Sequence, residues 1–325
     1  MSALSDSFVV LSASSVVPGP SQFKTGQATG MPEGYLIGVG GDSARHLLFP
    51  LGTAALHEDR RSPHLVLVEQ DLTMPDGRVE VFADLRCDDP ELFGVFGFVL
   101  DDVSSRLSGS GRDSVQVCRD VLSDWRELIS PGRSALDRAA ETGLFGELTV
   151  LGLLGVGDPV AALEAWKGPD DASWDFQLGA RAVEVKTTAS VSATSVTVSN
   201  IEQLDPQGLQ SLDLVVVHVR EAADGQSLDD IIDSLVDSGF DSRDLVAKAA
   251  KVGHLYGQGV SRRLTEIGIR RWEVSQEFPS LRRSEIPKPK VHALRKVMYE
   301  LALPSGAHEL SDQGEVAWFG DWVRS

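Results

Sequence analysis

The chain lacks several residues and patterns that would fix its class at once. Its 325 residues include only two cysteines, Cys87 and Cys118, and their spacing matches neither a zinc site nor a redox motif. No apolar run approaches the ~18 residues that a membrane-spanning helix needs. The N-terminus lacks the basic region and the following apolar core that a secretory signal has. We therefore expect a soluble, cytoplasmic protein with reduced thiols.

Clustered histidines and an excess of positive charge are missing as well. The seven histidines are scattered and no Gly-x-Ser-x-Gly elbow occurs, so zinc chemistry and acyl transfer have no support. The net charge of −18 disfavours wholesale non-specific DNA binding, because affinity for phosphate comes from Lys and Arg. Residues 241–300 nevertheless carry a local charge of +6, which leaves −24 for the remainder. This asymmetry predicts one surface for a polyanion on an otherwise acidic body.

Arginine doublets supply much of that local charge. Arg262-Arg263 and Arg270-Arg271 are candidate substrate contacts, because paired cations can follow a phosphate backbone. A solvated face, or contacts with the acidic remainder of the chain, explains them equally well, and both interpretations stay open. Further basic residues follow at Lys288, Lys290, Arg295 and Lys296.

The predicted elements divide the chain into four parts. Residues 1–30 are rich in Ser, Gly and Pro without periodicity, which predicts an irregular segment. Residues 31–130 are expected to form a small antiparallel β-rich unit with helices, followed by a core at 131–222 and a mixed, basic C-terminal extension at 223–325. The predicted elements of the second part are strands at 35–39, 47–51, 64–72 and 78–85 and helices at 89–107 and 115–129.

The most informative stretch runs from Trp174 to Thr188. Flanking β-forming residues and the Gly179-Ala180 turn predict a hairpin in which Asp175 lies opposite Glu184. Opposed residues have Cβ atoms about 4.5–5.5 Å apart, where like charges destabilise a sheet unless a cation lies between them. Lys186 projects from the same strand face as Glu184. Two carboxylates and an amine at one place predict a divalent-metal site with a water-activating lysine.

A helix from a Ser134 N-cap to about residue 154 precedes this hairpin. Its apolar face includes Leu144 and Leu148, and Glu147 lies on the same face, where a carboxylate must be paired or bound to a metal. Gly143 and Gly146 are costly in a helix, so we expect them to permit the close approach of another backbone. The alternative for Glu147 is an ordinary, partly exposed side chain at a helix seam.

Strand-like residues 191–198 follow the hairpin, and Ser199 with Glu202 predicts a capping box and a short helix. Gln203 would lie in its first turn, where it could contact substrate or a metal-bound water, the alternative being a surface amide. Residues 212–219 form an apolar run typical of a buried central strand. In the extension we expect helices at 227–235 and 242–252 and a strand at 273–278, whereas 291–303 could be either.

The order helix, three strands, helix, strand resembles the core of PD-(D/E)XK nucleases, with Trp174 where the motif name has proline. Further short motifs lie at Trp125-Arg126, Gly143–Leu148, Trp166–Pro169, Trp174–Phe176, Glu184–Thr188 and Ile201–Leu204. Through these motifs the chain is similar, over residues 30–305, to bacterial PD-(D/E)XK family members of unknown function. This resemblance implies a restriction-endonuclease-like α/β (α+β) fold with an αβββαβ core and a central mixed sheet flanked by helices.

The resemblance also implies roles for the site residues. Asp175, Glu184 and the Val185 carbonyl would hold Mg²⁺, with Mn²⁺ as a substitute, because magnesium prefers oxygen ligands. Glu147 would complete the metal shell from the preceding helix. Lys186 would orient or deprotonate the attacking water.

The leading hypothesis is a Mg²⁺-dependent deoxyribonuclease with DNA as its partner. The resemblance implies a place in bacterial restriction or phage defence, beside helicase, ATPase or methyltransferase proteins. A catalytically silent nuclease-like scaffold that binds DNA or a partner protein is the main alternative, and action on RNA or a nucleotide is a third. A homo-oligomer stays open, and no membrane association is expected.

Overall fold

The computed structural model divides the chain into two compact units. Unit 1 comprises Met1–Gly132 and Leu255–Gly259, and unit 2 comprises Arg133–His254 and Val260–Ser325. The residues that the structure describes are 3–13, 23–51, 56–62, 64–74, 76–108, 113–129, 136–170, 172–189, 194–257, 262–287, 294, 297–305, 308–310 and 314–324.

Unit 1 contains a five-stranded antiparallel sheet with the strand order β1-β2-β3-β5-β4. The four strands predicted from the sequence are confirmed, and Gly77, at φ +84°, forms part of the predicted turn between β4 and β5. The strands are β1 (Lys24–Gln27), β2 (Leu36–Val39), β3 (Arg45–Pro50), β4 (Leu65–Thr73) and β5 (Val79–Cys87).

In the part of unit 1 that the structure describes, three α-helices accompany this sheet: α1 (Ala3–Ala13), α2 (Phe93–Leu107) and α3 (Ser114–Ile129). Helices α2 and α3 confirm the prediction, and their buried apolar faces pack on each other. The prediction of an irregular segment over residues 1–30 was wrong, because α1 and β1 form there. Helix α1 lacks a clear amphipathic pattern, and Leu4 and Phe8 hold it by packing into the core, where Phe8 meets the ring of Phe96.

Unit 2 contains a second five-stranded sheet, with the order β12-β10-β9-β7-β6. Strands β7 and β9 pair in parallel and the other pairs are antiparallel, so the sheet is mixed, which confirms the predicted α/β fold class. Residues 212–219 of β9 are all buried, as predicted for a central strand. The strands are β6 (Phe176–Leu178), β7 (Arg181–Thr188), β9 (Ser211–Gln226), β10 (Leu264–Glu273) and β12 (His308–Leu310).

Strands β8 (Ser195–Val198) and β11 (Tyr299–Ala302) form a separate two-stranded sheet. Their buried side chains join the apolar cluster over one face of the larger sheet, where Val196 and Leu301 pack with Trp272. Part of the untyped segment 291–303 is therefore strand. The predicted strand at 273–278 was wrong, because pairing with β9 begins at Leu264 and ends at Glu273.

The described residues of unit 2 form five α-helices: α4 (Arg138–Leu154), α5 (Pro159–Ala165), α6 (Leu228–Asp237), α7 (Ser242–Val252) and α8 (Gly314–Arg324). Asp137 is the N-cap of α4, and its carboxylate accepts from the Ala140 N–H at 2.8 Å. The Ser134 cap lies outside the described residues. Helices α6 and α7 confirm their predictions, and Ser227 forms a capping box with Asp230. Within the described ranges, no helix has the length and hydropathy needed to cross a membrane.

Candidate active site in unit 2

The hairpin of β6 and β7 has the register expected from its two-residue turn. Leu178 pairs with Arg181, and Gly179 has a φ of +60°, which a glycine adopts without strain. The ladder ends where Phe176 pairs with Val183. Beyond that pair, the β6 side of β7 is open, and this open edge is where the candidate site residues meet.

Asp175 lies at the open edge, one residue before β6. Its Oδ2 accepts a hydrogen bond from the Val185 N–H at 2.7 Å. The carboxylate thus occupies the position that a backbone carbonyl would take if the ladder continued. Since the N–H and C=O of a strand residue point to the same side, the Val185 carbonyl also faces this edge. The sequence therefore supplies two oxygen donors here, one from a side chain and one from the backbone.

Glu184 and Lys186 share one face of β7, as strand alternation requires. Lys186 Nζ donates to Glu184 Oε1 at 2.7 Å, and the Glu184 side chain is only 1% exposed. Among the described residues, the other oxygen, Glu184 Oε2, is buried without a hydrogen-bond partner. A buried carboxylate oxygen without a partner is energetically costly, so this atom is a natural ligand for a cation.

Glu147 reaches the same cluster from α4. Its Oε2 accepts from the indole N–H of Trp166 at 2.8 Å. A Cβ built on Gly168 would lie 2.5 Å from Glu147 Oε2 and 3.1 Å from Asp175 Oδ1, so both carboxylates border the same small space. Glu147 is therefore part of the carboxylate cluster, as the sequence pattern predicted from its position on the apolar face.

The two glycines of α4 differ in their surroundings. A Cβ on Gly146 would lie 1.9 Å from Thr187 Oγ1, so the absent side chain allows α4 to lie directly against β7. A Cβ on Gly143 would meet nothing within 4 Å. The expected close approach thus occurs only at Gly146, and the neighbour is a side chain rather than a backbone.

Electrostatics at the site reflects three carboxylates that share one ammonium. Desolvation raises the pKa of Glu147 to about 8, and the charge of Asp175 adds to this shift. Burial also raises the pKa of Asp175, and burial together with the Asp175 charge raises the pKa of Glu184 well above its usual value. Although desolvation acts in the opposite direction, the charges of Glu184 and Asp175 raise the pKa of Lys186. The cluster is short of positive charge.

The donors at the open edge fit a hard divalent cation. They are carboxylate and carbonyl oxygens, which Mg²⁺ and Mn²⁺ prefer, and they include the buried, unpartnered Glu184 Oε2. Across the described ranges, no group of three His, Cys, Asp or Glu side chains is arranged to hold an ion. A cation here would therefore rest on Asp175, Glu184 and the Val185 carbonyl, with water completing the shell and Glu147 supporting it.

Gln203 is brought to the site, but not by a helix. Residues 201–204 form turns, so the predicted capping box and short helix were wrong. The Gln203 side chain itself closes the turn, because its Oε1 accepts from the Ser199 N–H at 3.0 Å. The same oxygen accepts from Lys186 Nζ at 3.2 Å, which leaves the amide NH₂ to act as a donor elsewhere.

The four candidate arginines all have partners inside unit 2. These contacts are Arg262 with Glu221 at 3.0 Å, Arg263 with Asp230 at 2.9 Å, Arg270 with His218 at 2.8 Å and Arg271 with Asp213 at 2.6 Å. Arg270 shares a row of the sheet with Lys186, since both pair with Val216 in register. Lys288, Lys290, Arg295 and Lys296 lie outside the described residues.

Trp166 is a site contact to which the sequence pattern assigned no role. The residue is fully buried, at 0% exposure, and its indole N–H is bonded to Glu147. The Lys167 and Gly168 N–H groups donate to the Asp175 carbonyl, which brings this segment beside the hairpin. A Trp before a Gly-Pro turn is the available signal, but it does not reveal the bond to a glutamate 19 residues earlier.

Comparison with known proteins identifies one family. A family model described as "Putative PD-(D/E)XK family member, (DUF4420)" matches residues 15–303. No curated protein and no solved structure matches the chain.

Proposed function

Because the chain belongs to this PD-(D/E)XK family, we propose that the protein is a Mg²⁺-dependent deoxyribonuclease. Membership in the family indicates a nuclease-like function, and the metal, the DNA substrate and hydrolysis are our proposals. The observation that carries them is the convergence of Asp175, Glu184 and Lys186 at an open sheet edge, where one buried carboxylate oxygen has no partner in the described chain.

The residues at the open edge would have different roles in metal binding and catalysis. Asp175, Glu184 and the Val185 carbonyl would hold the ion, and Glu147 would hold its waters. When bound, Mg²⁺ would supply Lewis-acid stabilisation of the charge that develops on the phosphate. Lys186, positioned between Glu184 and Gln203, would orient the attacking water. In the reaction, the water oxygen would bond to phosphorus while the bond from phosphorus to one bridging oxygen breaks. One proton of the water would end on that leaving oxygen, so the products are a phosphomonoester and an alcohol.

Two further groups are suited to contact the substrate. The Gln203 amide oxygen accepts from two donors, so its NH₂ would remain to donate to a phosphate oxygen. Arg270 lies two strands from Lys186 in the same row of the sheet, about 10 Å away at the usual strand spacing. Binding DNA there would use the Arg270 guanidinium in addition to its contact with His218.

Plasmid cleavage tests this proposal directly. Purified protein would be incubated with supercoiled DNA in Mg²⁺, in Mn²⁺ and in EDTA, beside the Asp175→Asn and Lys186→Met variants. Asp76→Asn, in an exposed turn of unit 1, is the matched control for the loss of one carboxylate. We expect metal-dependent nicking by the wild type and by the control alone. Equal cleavage by all four preparations would refute the site assignment, and duplex DNA, single-stranded DNA and RNA in competition would define the substrate.

The biological setting is a separate proposal. An acidic chain with a nuclease site fits a subunit that partner proteins bring to DNA in a restriction or phage-defence complex. Co-purification with a helicase, an ATPase or a methyltransferase, and stimulation of cleavage by that partner, would support this setting. Full cleavage activity of the isolated protein at physiological salt would argue against the need for a partner.

One observation favours a second candidate function, a silent nuclease-like scaffold that binds DNA or a partner. Lys186 already neutralises Glu184, and the described residues contain no three-ligand cluster. Such a scaffold would not need the lysine. Lys186→Met should then leave biological activity intact, whereas a nuclease should lose it.

A further inference from the structure

The segment from Trp166 to Asp170 directly follows α5, and it contacts two residues of the candidate site, Glu147 and Asp175. The inference drawn from it rests on the proposed function, because it concerns the geometry of the metal site. At one end, the indole N–H of Trp166 donates to Glu147 Oε2 at 2.8 Å. The indole thus holds one of the two Glu147 carboxylate oxygens.

The same segment also holds Asp175. The N–H groups of Lys167 and Gly168 donate to the Asp175 carbonyl at 2.7 and 3.0 Å. A Cβ on Gly168 would collide with Glu147 Oε2 at 2.5 Å and would crowd Asp175 Oδ1 at 3.1 Å. Three consecutive residues therefore contact two carboxylate residues that come from different elements. Their spacing depends on this segment.

Helix α7 holds the segment from its other side. Lys248 Nζ donates to the Trp166 carbonyl at 2.5 Å and to Asp170 Oδ2 at 3.2 Å, and it lies 5.8 Å from the centre of the Trp166 ring. The partner of Lys251 Nζ within the described ranges is Asp170, at 2.5 Å. The Lys248 side chain is 16% exposed and that of Lys251 is 52% exposed, so Lys248 is the better shielded contact.

We propose that Trp166 is a positioning residue for the metal site, which holds the Glu147 carboxylate at a fixed place beside Asp175, and that Lys248 keeps Trp166 in position. Trp166 touches neither substrate nor the ion in this assignment, and it acts through Glu147. Groups that hydrogen-bond to metal-binding residues commonly change metal affinity by about 10–100-fold when they are removed. Loss of the indole N–H should therefore weaken metal binding within that range.

The test measures metal binding apart from catalysis. Calorimetric titration of Mn²⁺ into metal-stripped full-length protein would compare the wild type with Trp166→Phe, which keeps an aromatic ring and removes the N–H. Trp125→Phe is the matched control, because Trp125 is also fully buried and its indole N–H donates to a carboxylate, Asp102, within unit 1. We expect the dissociation constant for Mn²⁺ to rise about 10-fold or more in Trp166→Phe and to stay unchanged in Trp125→Phe.

The lysines of α7 provide a second comparison that spares the buried tryptophan. Lys248→Met should weaken Mn²⁺ binding, whereas Lys251→Met, which loses the contact with Asp170 and none with Trp166 in the described residues, should not. Two cleavage measurements complete the comparison. The KM for DNA, measured at saturating Mg²⁺, should be unchanged in Trp166→Phe. The Mg²⁺ concentration that gives a half-maximal rate, measured in a Mg²⁺ titration, should rise. A loss of Mn²⁺ affinity in Trp166→Phe, with an unfolding temperature no lower than that of Trp125→Phe, would support the positioning role, whereas an equal loss of affinity in both variants would overturn it.

The outcomes separate this inference from the proposed function. Wild-type protein that binds no Mn²⁺ would overturn both. Wild-type and Trp166→Phe proteins that bind Mn²⁺ equally would overturn the positioning role and leave the nuclease proposal intact. A loss of affinity in Lys251→Met as large as that in Lys248→Met would overturn the role assigned to Lys248.

Discussion

Replacement of Gly146 by alanine should separate α4 from β7, and the structure allows the cost to be worked out. The new Cβ would lie 1.9 Å from Thr187 Oγ1, 3.1 Å from its Cβ and 3.2 Å from its Cγ2. Rotation about χ1 of Thr187 would move Oγ1 and Cγ2, but it cannot move the Thr187 Cβ, which stays 3.1 Å from the new atom, closer than ordinary van der Waals contact. The helix or the strand must move.

Overpacking of this kind costs about 1–3 kcal/mol, and we expect the upper end because three atoms are too close. Alanine offsets about 1 kcal/mol through its better helix propensity. The net loss of unfolding free energy should be about 2 kcal/mol. Gly143→Ala is the matched control in the same helix, where a Cβ meets nothing within 4 Å and a gain of up to about 1 kcal/mol is expected.

Calorimetric unfolding would measure the difference between the two variants. About 3 kcal/mol separates them, which corresponds to about 6–12 °C in Tm for a unit of this size. Thr187→Ala should rescue Gly146→Ala, because it removes Oγ1 and Cγ2, and the hydroxyl has no hydrogen-bond partner in the described chain. Equal stability of the two glycine variants would refute the reasoning, as would a double variant no more stable than Gly146→Ala.

Three further predictions concern protonation. Because the pKa of Glu147 is raised to about 8, Mn²⁺ binding at pH 7 should release protons and should become tighter as the pH rises towards 8. Calorimetric titrations in buffers of different ionisation enthalpy would detect the released protons. A Mn²⁺ affinity that does not depend on pH would contradict this prediction. Hydrogen bonds from Arg61 and Arg126 lower the pKa of Asp59, so Asp59→Asn should destabilise unit 1 by about 1–3 kcal/mol at pH 7. The stabilisation by Asp59 is present above the unfolded-state pKa of about 4 and is lost as the pH falls below it. Urea unfolding should therefore show that the difference in unfolding free energy between the wild type and Asp59→Asn shrinks in acid and is retained at neutral pH. Burial raises the pKa of Cys87 and Cys118 to about 12, so neither thiol of the native protein should react with iodoacetamide at pH 8, whereas both should react after denaturation.

Local sequence was sufficient wherever a short-range pattern decides the structure. The Gly179-Ala180 turn predicted the hairpin register, and strand alternation placed Glu184 and Lys186 on one face. Helical spacing placed Glu147 on the apolar face of α4, and its side chain lies in the same carboxylate cluster as Asp175 and Glu184. These features follow from periodicity and turn chemistry within about 20 residues, and the sequence alone was enough to predict them.

Other features depend on partners that are distant in sequence. The Ser199–Glu202 pattern predicts a helix, but Gln203 closes a turn there and accepts a hydrogen bond from Lys186 of β7. Strand β10 is defined by its pairing with β9, whose residues precede it by about 50 positions. Helix α1 is held by core contacts rather than by an apolar stripe of its own.

The sequence by itself determined which chemical groups the site contains, since Asp, Glu and Lys at hairpin spacing come together in any fold that keeps the hairpin. Tertiary structure alone decided how those groups are held. It placed the Trp166 indole on Glu147, gave Gly146 but not Gly143 a neighbour, and paired Arg271 with Asp213 inside the unit. The physical reason is that hydrogen bonds and close packing depend on distances between elements, which no local pattern of residues specifies.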